Sequence, residues 1–178
     1  CDIIDDSDSL IIVFEALNTL CLEKALPDLM FSLDLSLEYA ISLTESLDGL
    51  HKLNLIHRDI RPSNLYVTKE GAKIFLGDLS VLTNLIDPQG RLTDQTTLRQ
   101  RLTYISPEQT GRFNRPVDHR ADFYALGIVF YELLTGRPPF ISDDPLDLAY
   151  AHVAEKPNPP HLVKPGIPQA VSEITLKL

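Results

Sequence analysis

Residues 57–64 read His57-Arg58-Asp59-Ile60-Arg61-Pro62-Ser63-Asn64, and the reading of the whole chain turns on this octet. A carboxylate (Asp59) and a carboxamide (Asn64) stand five positions apart, with Pro62 between them, so the segment is a loop rather than a helix interior. On a tight loop the two side chains can converge on one site. A carboxylate there can accept a proton from a hydroxyl nucleophile, and an amide oxygen can coordinate a metal ion. Arg61 adds fixed positive charge suited to a phosphate.

The flanks agree with such a loop. On the N-terminal side, apolar residues fall at 33, 37, 40, 41, 43, 47, 50 and 53, the spacing of a long helix from Leu33 to Leu53 buried along one face. On the C-terminal side, Leu65–Val67 and Lys73–Leu76 are short strand-like runs, and Thr68–Lys69–Glu70–Gly71 between them suits a hairpin turn. Further out, Ser9–Glu15 is an apolar run expected to be a buried strand, and Leu20–Leu26 a short helix closed by Pro27. Residues 77–105 show no sustained period, which in a compact domain marks a functional or mobile stretch. Asp118–Leu134 is apolar nearly all round and is expected to be a central buried helix, stopped by Thr135–Gly136–Arg137–Pro138–Pro139. Pro145–Lys156 suits a helix with proline in its first turn, 157–168 is a proline-rich connection, and Gln169–Leu178 begins a last helix.

Composition narrows the function classes. Of 178 residues, 16 are Lys or Arg and 25 are Asp or Glu, a formal charge of −9, which argues against non-specific nucleic-acid binding. Apolar residues at 44% and charged residues at 23% match a globular protein rather than a disordered one. No apolar run approaches the roughly 20 residues of a membrane span. Acidic residues at 2, 5, 6 and 8 stand where a signal peptide would carry basic ones. Two cysteines, Cys1 and Cys21, build neither a disulfide framework nor a zinc cage. A cytoplasmic setting is the simplest expectation. The chain opens on Cys1 rather than Met, and the stripe Val171, Ile174, Thr175, Leu178 stops mid-pattern, so an internal fragment is expected.

The octet, with its Asn spacing, preceding helix and following hairpin, resembles the catalytic loop of eukaryotic-type protein kinases, H-R-D followed by a spaced Asn. Other stretches match in order. Ser106–Pro107–Glu108 is similar to the A-P-E that closes a kinase activation segment, Asp122 to Gly127 to the opening of the central helix, and Thr135 to Phe140 to the loop after it. The stretch from Ser106 to Phe140 looks closest to the Ser/Thr kinase domain of large bacterial and fungal proteins that carry an ATPase module and a sensor histidine kinase.

The resemblance implies a mainly α fold with small β elements: a helical C-lobe with the hinge strand (about 9–15), the N-lobe missing. Residues 1–178 would then be a partial kinase domain, with catalytic loop 57–64, activation segment about 77–108 and central helix about 118–134. It implies phosphoryl transfer from ATP, with Mg²⁺, to Ser/Thr hydroxyls of a protein substrate. Asp59 would orient or deprotonate the hydroxyl, Arg61 would meet the γ-phosphate in place of the usual Lys, and Asn64 would bind Mg²⁺. Arg58 would pair with an acidic or phosphorylated residue of the activation segment. Glu15 and Leu17 would read adenine through their backbone, Phe14 would guard the back pocket, and Tyr66 would lie under the adenine ring. Fused ATPase and histidine kinase modules would be the partners.

Three departures from the pattern matter. The Gly-rich loop, the strand Lys and its Glu partner, which precede this segment in a kinase, are not in it. The metal-binding Asp of D-F-G falls by spacing on Gly77, so either Asp78 slides in by one residue, through a bulge that Gly77 would permit by unusual backbone angles, or the ligand is lost. Arg101 stands where the Thr of G-T-x-x-Y belongs, with Thr103 out of register. A catalytically weak or inactive kinase-like relay module is the alternative. Among the histidines, His57 reads as a structural hydrogen-bonding residue, and His51, His119, His152 and His161 are too scattered for a metal site. Asp5–Asp6–Ser7–Asp8 reads as a solvated turn.

Overall fold

A computed structural model describes residues 2–6, 9–13, 18–27, 32–68, 73–77, 95–111 and 116–178, with backbone only for 2–13 and 95–97. Two strands, β1 (Asp2–Asp6) and β2 (Ser9–Val13), pair antiparallel, with Ile3 opposite Ile12 and Asp5 opposite Leu10. The acidic start is therefore strand as far as Asp6 rather than turn, and one edge of β2 is covered. The turn read at 5–8 fails at Asp5 and Asp6 because backbone pairing overrides side-chain polarity on a strand; residues 7–8 lie outside the described residues.

A second sheet orders β3 (Thr19–Cys21), β4 (Leu65–Thr68) and β5 (Ile74–Leu76), all antiparallel. The β4–β5 register puts Leu65 opposite Leu76 and Val67 opposite Ile74, as the hairpin reading expects; its turn residues 69–72 lie outside the described residues. The helix read at 20–26 is split: Thr19–Cys21 pairs with Tyr66–Thr68, and only α1 (Leu22–Ala25) is helical. Cross-strand bonds to β4 win over a local helical pattern too short to nucleate on its own.

The long helix α2 (Leu33–Lys52) has the expected limits. Ser32 caps it, its hydroxyl accepting from Leu35 N at 3.4 Å, and the last turn closes through Asn54, whose φ of 57° is the left-handed conformation that ends helices. Its inner face, Tyr39, Leu43 and Leu47, packs with Leu126, Val129 and Leu133 of α4 (Arg120–Thr135) and with Leu65, Val67 and Ile74 of the sheet. Burying such large apolar side chains stabilises by roughly 1.5–3 kcal/mol each. Polar ties fix the stack: Ser36 Oγ donates to Leu133 O (3.4 Å), and Ser42 Oγ accepts from Ile74 N (3.0 Å). Helix α4 is buried nearly all round, as its sequence dictates, and Gly136 stops it with a φ of 88°.

The region read as structureless contains α3 (Gln95–Leu102), followed by a 3₁₀ turn at Pro107–Thr110. Beyond α4 come α5 (Pro145–Ala154), α6 (Pro160–Val163) within the proline-rich connection, and α7 (Gln169–Thr175). A smaller apolar cluster joins Phe140 with Leu148 and Ala151 of α5, and Leu102 at the end of α3 packs on it. Among the described residues, no helix is long and apolar enough to cross a membrane.

Candidate active site

The octet occupies the turn between α2 and β4, over α4. Its foundation is Asp122, fully buried in the first turn of α4. Asp122 Oδ2 accepts from His57 N (2.9 Å) and pairs with His51 Nε2 (2.8 Å), while Oδ1 accepts from Arg58 N (2.7 Å). A buried carboxylate is tolerated only when it is hydrogen-bonded in this way. The bonds also hold Arg58 at a φ of 66°, a left-handed conformation costly for a residue with a Cβ. Sequence reading placed Asp122 only in a motif and assigned His51 no partner. The available signal was a carboxylate in the first turn of a helix apolar nearly all round.

His57 is buried and structural. Its Nδ1 faces Asp59 N at 3.4 Å and its Nε2 faces Gly77 O at 3.0 Å, so the tautomer with the proton on Nε2 satisfies both. Arg58 O accepts from Gln109 Nε2 at 2.8 Å. Gln109 Oε1 in turn accepts from Ser106 N (3.1 Å) and Ser106 Oγ (2.9 Å), stapling the 3₁₀ turn to the octet. The Nε of Arg58 is buried without a hydrogen-bond partner among the described residues.

On this base Asp59, Arg61 and Asn64 converge, all buried. Asn64 Nδ2 donates to Asp59 O and to Asp59 Oδ2, both at 2.9 Å, and Arg61 Nε donates to Asp59 Oδ1 at 3.0 Å. The 3₁₀ turn Pro62–Asn64 folds the chain back so that residues five apart meet. With Nδ2 engaged, Oδ1 is the Asn64 atom left to face a cation. A second cation stands nearby: Arg101 Nε lies 3.9 Å from Asp59 Oδ2. The site therefore holds one carboxylate between two guanidinium groups and a carboxamide, a setting for proton acceptance beside a phosphate.

Gly77 follows β5, its N donating to Asn64 O at 2.8 Å. Its backbone is not left-handed, and the space beside it is narrow. A Cβ there would come within 2.9 Å of Tyr66 Cδ2, closer still to Cε2, and 3.3 Å from Asn64 O. The left-handed angles expected at Gly77 are not adopted, and its backbone packs against the Tyr66 ring, which is 38% exposed. Asp78, Phe14, Glu15 and Leu17 lie outside the described residues. Among the described residues, no three His, Cys, Asp or Glu side chains converge on a metal site.

The comparisons agree with this geometry. The protein kinase domain family matches residues 1–171 of the chain. The chain belongs to the protein kinase family. It is 36% identical over 137 residues to the probable serine/threonine-protein kinase PknB of Bifidobacterium longum, covering 77% of this chain and 19% of that protein. It is 34% identical over 142 residues to the serine/threonine-protein kinase PknB of Mycolicibacterium smegmatis, covering 80% of this chain and 22% of that protein. The kinase segment thus spans about a fifth of the length of these curated relatives. The fold is similar to that of the twitchin kinase region of C. elegans, with a TM-score of 0.78 at 23% identity, over 99% of this chain and 31% of that one.

Proposed function

We propose that this kinase segment carries the phosphoacceptor half of an ATP-dependent protein Ser/Thr kinase. The observation that carries the reading is the meeting of Asp59, Arg61 and Asn64 within 3.0 Å on an octet anchored by Asp122. Asp59 takes the proton of a Ser or Thr hydroxyl. The hydroxyl oxygen bonds to the γ-phosphorus as the bond to the β-phosphate oxygen breaks, leaving ADP and a phosphoester. Arg61 faces the charge that develops on the transferred group. Magnesium, when bound, neutralises phosphate charge; Asn64 Oδ1 would hold it, with Asp78 as the second ligand. Glu15 and Leu17 would meet adenine through their backbone and Tyr66 through its exposed ring face. Arg58, whose Nε has no hydrogen-bond partner among the described residues, fits an acidic or phosphorylated residue of the 77–108 segment. In the full-length protein this segment would work in the cytoplasm beside fused ATPase and sensor histidine kinase modules.

A second reading has its own observation. The family's metal-ligand position falls by spacing on Gly77, which has no side chain to bind a metal, and a Cβ there would displace the Tyr66 ring. That favours a relay module with weak or no turnover. The deciding experiment follows ATP-dependent phosphorylation of a Ser/Thr peptide mixture by the full-length protein, alongside Asp59→Asn and Asn64→Ala. Transfer lost in both variants supports the kinase reading. No transfer by the native protein, with retained nucleotide binding, supports the relay.

A further inference from the structure

The smaller apolar cluster of Phe140, Leu148 and Ala151 has an imidazole built against it. His152 of α5 is 5% exposed, and its ring stands edge-on to that of Phe140 at 5.0 Å. A leucine would suit such surroundings equally; an imidazole differs in having two polar ends. Nδ1 faces Tyr124 Oη of α4 at 2.8 Å. Burial, with the Glu108 carboxylate adding to it, pushes the Tyr124 phenol up, so it stays a donor and Nδ1 accepts. Burial also pushes His152 down to about 4, so the ring is neutral and its one N–H is on Nε2.

Nε2 is buried with no well-formed hydrogen bond among the described residues. The backbone of Leu102 and Thr103 nevertheless faces the ring as acceptor and favours its protonated form. The contact is close but poorly aligned, and a buried donor in that condition calls for a reason. The reason lies in what it reaches. One residue before this pair, Arg101 Nε lies 3.9 Å from Asp59 Oδ2. One residue after it, Tyr104 Oη donates to Glu132 Oε2 of α4 at 2.6 Å. Thr103 and Tyr104 line a cleft of about 300 Å³ together with Arg61 and Ser63. Helix α4 thus holds the 101–104 wall twice, through Glu132 to the Tyr104 side chain and through Tyr124 and His152 to the Leu102–Thr103 backbone. The same helix holds the octet through Asp122, so both sides of the cleft are referred to one buried element.

Resting on the kinase reading above, we propose that His152 is a positioning residue for phosphoryl transfer: bridging Tyr124 to the Leu102 and Thr103 carbonyls, it sets the distance of the 101–104 wall from Asp59 and hence the seat of the acceptor peptide.

The test uses the full-length protein and three variants. His152→Leu keeps the bulk and removes both polar ends, His152→Gln keeps a donor where Nε2–H stands, and Tyr124→Phe leaves the imidazole but frees its Nδ1. Amide exchange is followed in the free protein, and initial rates are measured with the Ser/Thr peptide mixture and ATP varied in turn. The Thr103 and Tyr104 amides, bonded to Arg99 O and Arg101 O, report on the wall. In His152→Leu they are expected to exchange about 10-fold faster relative to α4, and the peptide KM to rise about 10-fold with the KM for ATP unchanged. His152→Gln should restore most of both. Tyr124→Phe should give a loss of about 3-fold in the same direction, and it carries the test if thermal melts show the leucine variant unfolded. Exchange that is unchanged at 103–104, or faster to the same degree throughout α4 and α5, overturns the proposal. So does a glutamine variant no better than leucine. Exchange that responds as expected in a protein that transfers no phosphoryl group upholds the bridge and refutes the enzyme, whereas transfer with an unmoved peptide KM refutes the positioning role alone.

Discussion

The ring of Tyr66 on β4 lies against the backbone of Gly77 so closely that a Cβ at 77 would be within 2.9 Å of ring Cδ2. Residue 66 and residue 77 therefore share one space: a side chain at 77 requires the partly exposed Tyr66 ring to shift and leaves 3.3 Å between its Cβ and Asn64 O.

Gly77→Asp is expected to destabilise the fold by about 1–3 kcal/mol, the cost of overpacking, and to leave magnesium affinity unchanged. Adding Tyr66→Ala should recover part of that stability by clearing the clash. Urea unfolding of the two variants, with magnesium titrated into each, checks both statements.

Asp122→Ala removes a buried carboxylate that serves His51 and two loop amides. The expected loss is about 3–5 kcal/mol, because the partners are left uncompensated. Hydrogen exchange at His57 and Arg58 should accelerate before that of the α4 amides.

Stability should fall as pH drops below the ordinary histidine range. Burial pushes His152 down from 6.5 to about 4, and its Nδ1 contacts Tyr124 Oη at 2.8 Å. The folded state thus binds fewer protons than the unfolded one between those values. The stability held above pH 6.5 is lost progressively toward pH 4, by about 3 kcal/mol at most. In His152→Asn, the denaturation midpoint should change less with pH across this window.

Gln109→Ala breaks the staple from the 3₁₀ turn to Arg58 O. A cost of about 1–3 kcal/mol is expected from the unmet buried groups, read as a shift in urea midpoint without a change in slope.

What was legible in the sequence was what repeats or what is spaced. The apolar stripe of α2 and the all-apolar α4 specify their own burial, and the interval from Asp59 to Asn64 sets a meeting that the 2.9 Å bond displays. Helix α3 was not legible because Gln95–Leu102 has only Leu98 and Leu102 as apolar residues, so nothing local sets its period. Its packing comes from a group distant in sequence, the Phe140 cluster against Leu102, with looser polar contacts to Glu23, Asp59 and Asp143. Strand β1 was hidden for a similar reason: Asp5 and Asp6 read as turn chemistry until β2 supplies a partner. Arg101 was singled out for replacing a Thr, yet only the packed structure brings it to Asp59.

Asp122 holds the octet through the backbone amides of His57 and Arg58, whereas Asp59, Arg61 and Asn64 meet through their side chains. Mechanical support and chemical competence are therefore separable in this protein. The His-Arg part of the His-Arg-Asp run serves the architecture through its backbone amides, so such a run by itself testifies to the fold and not yet to turnover.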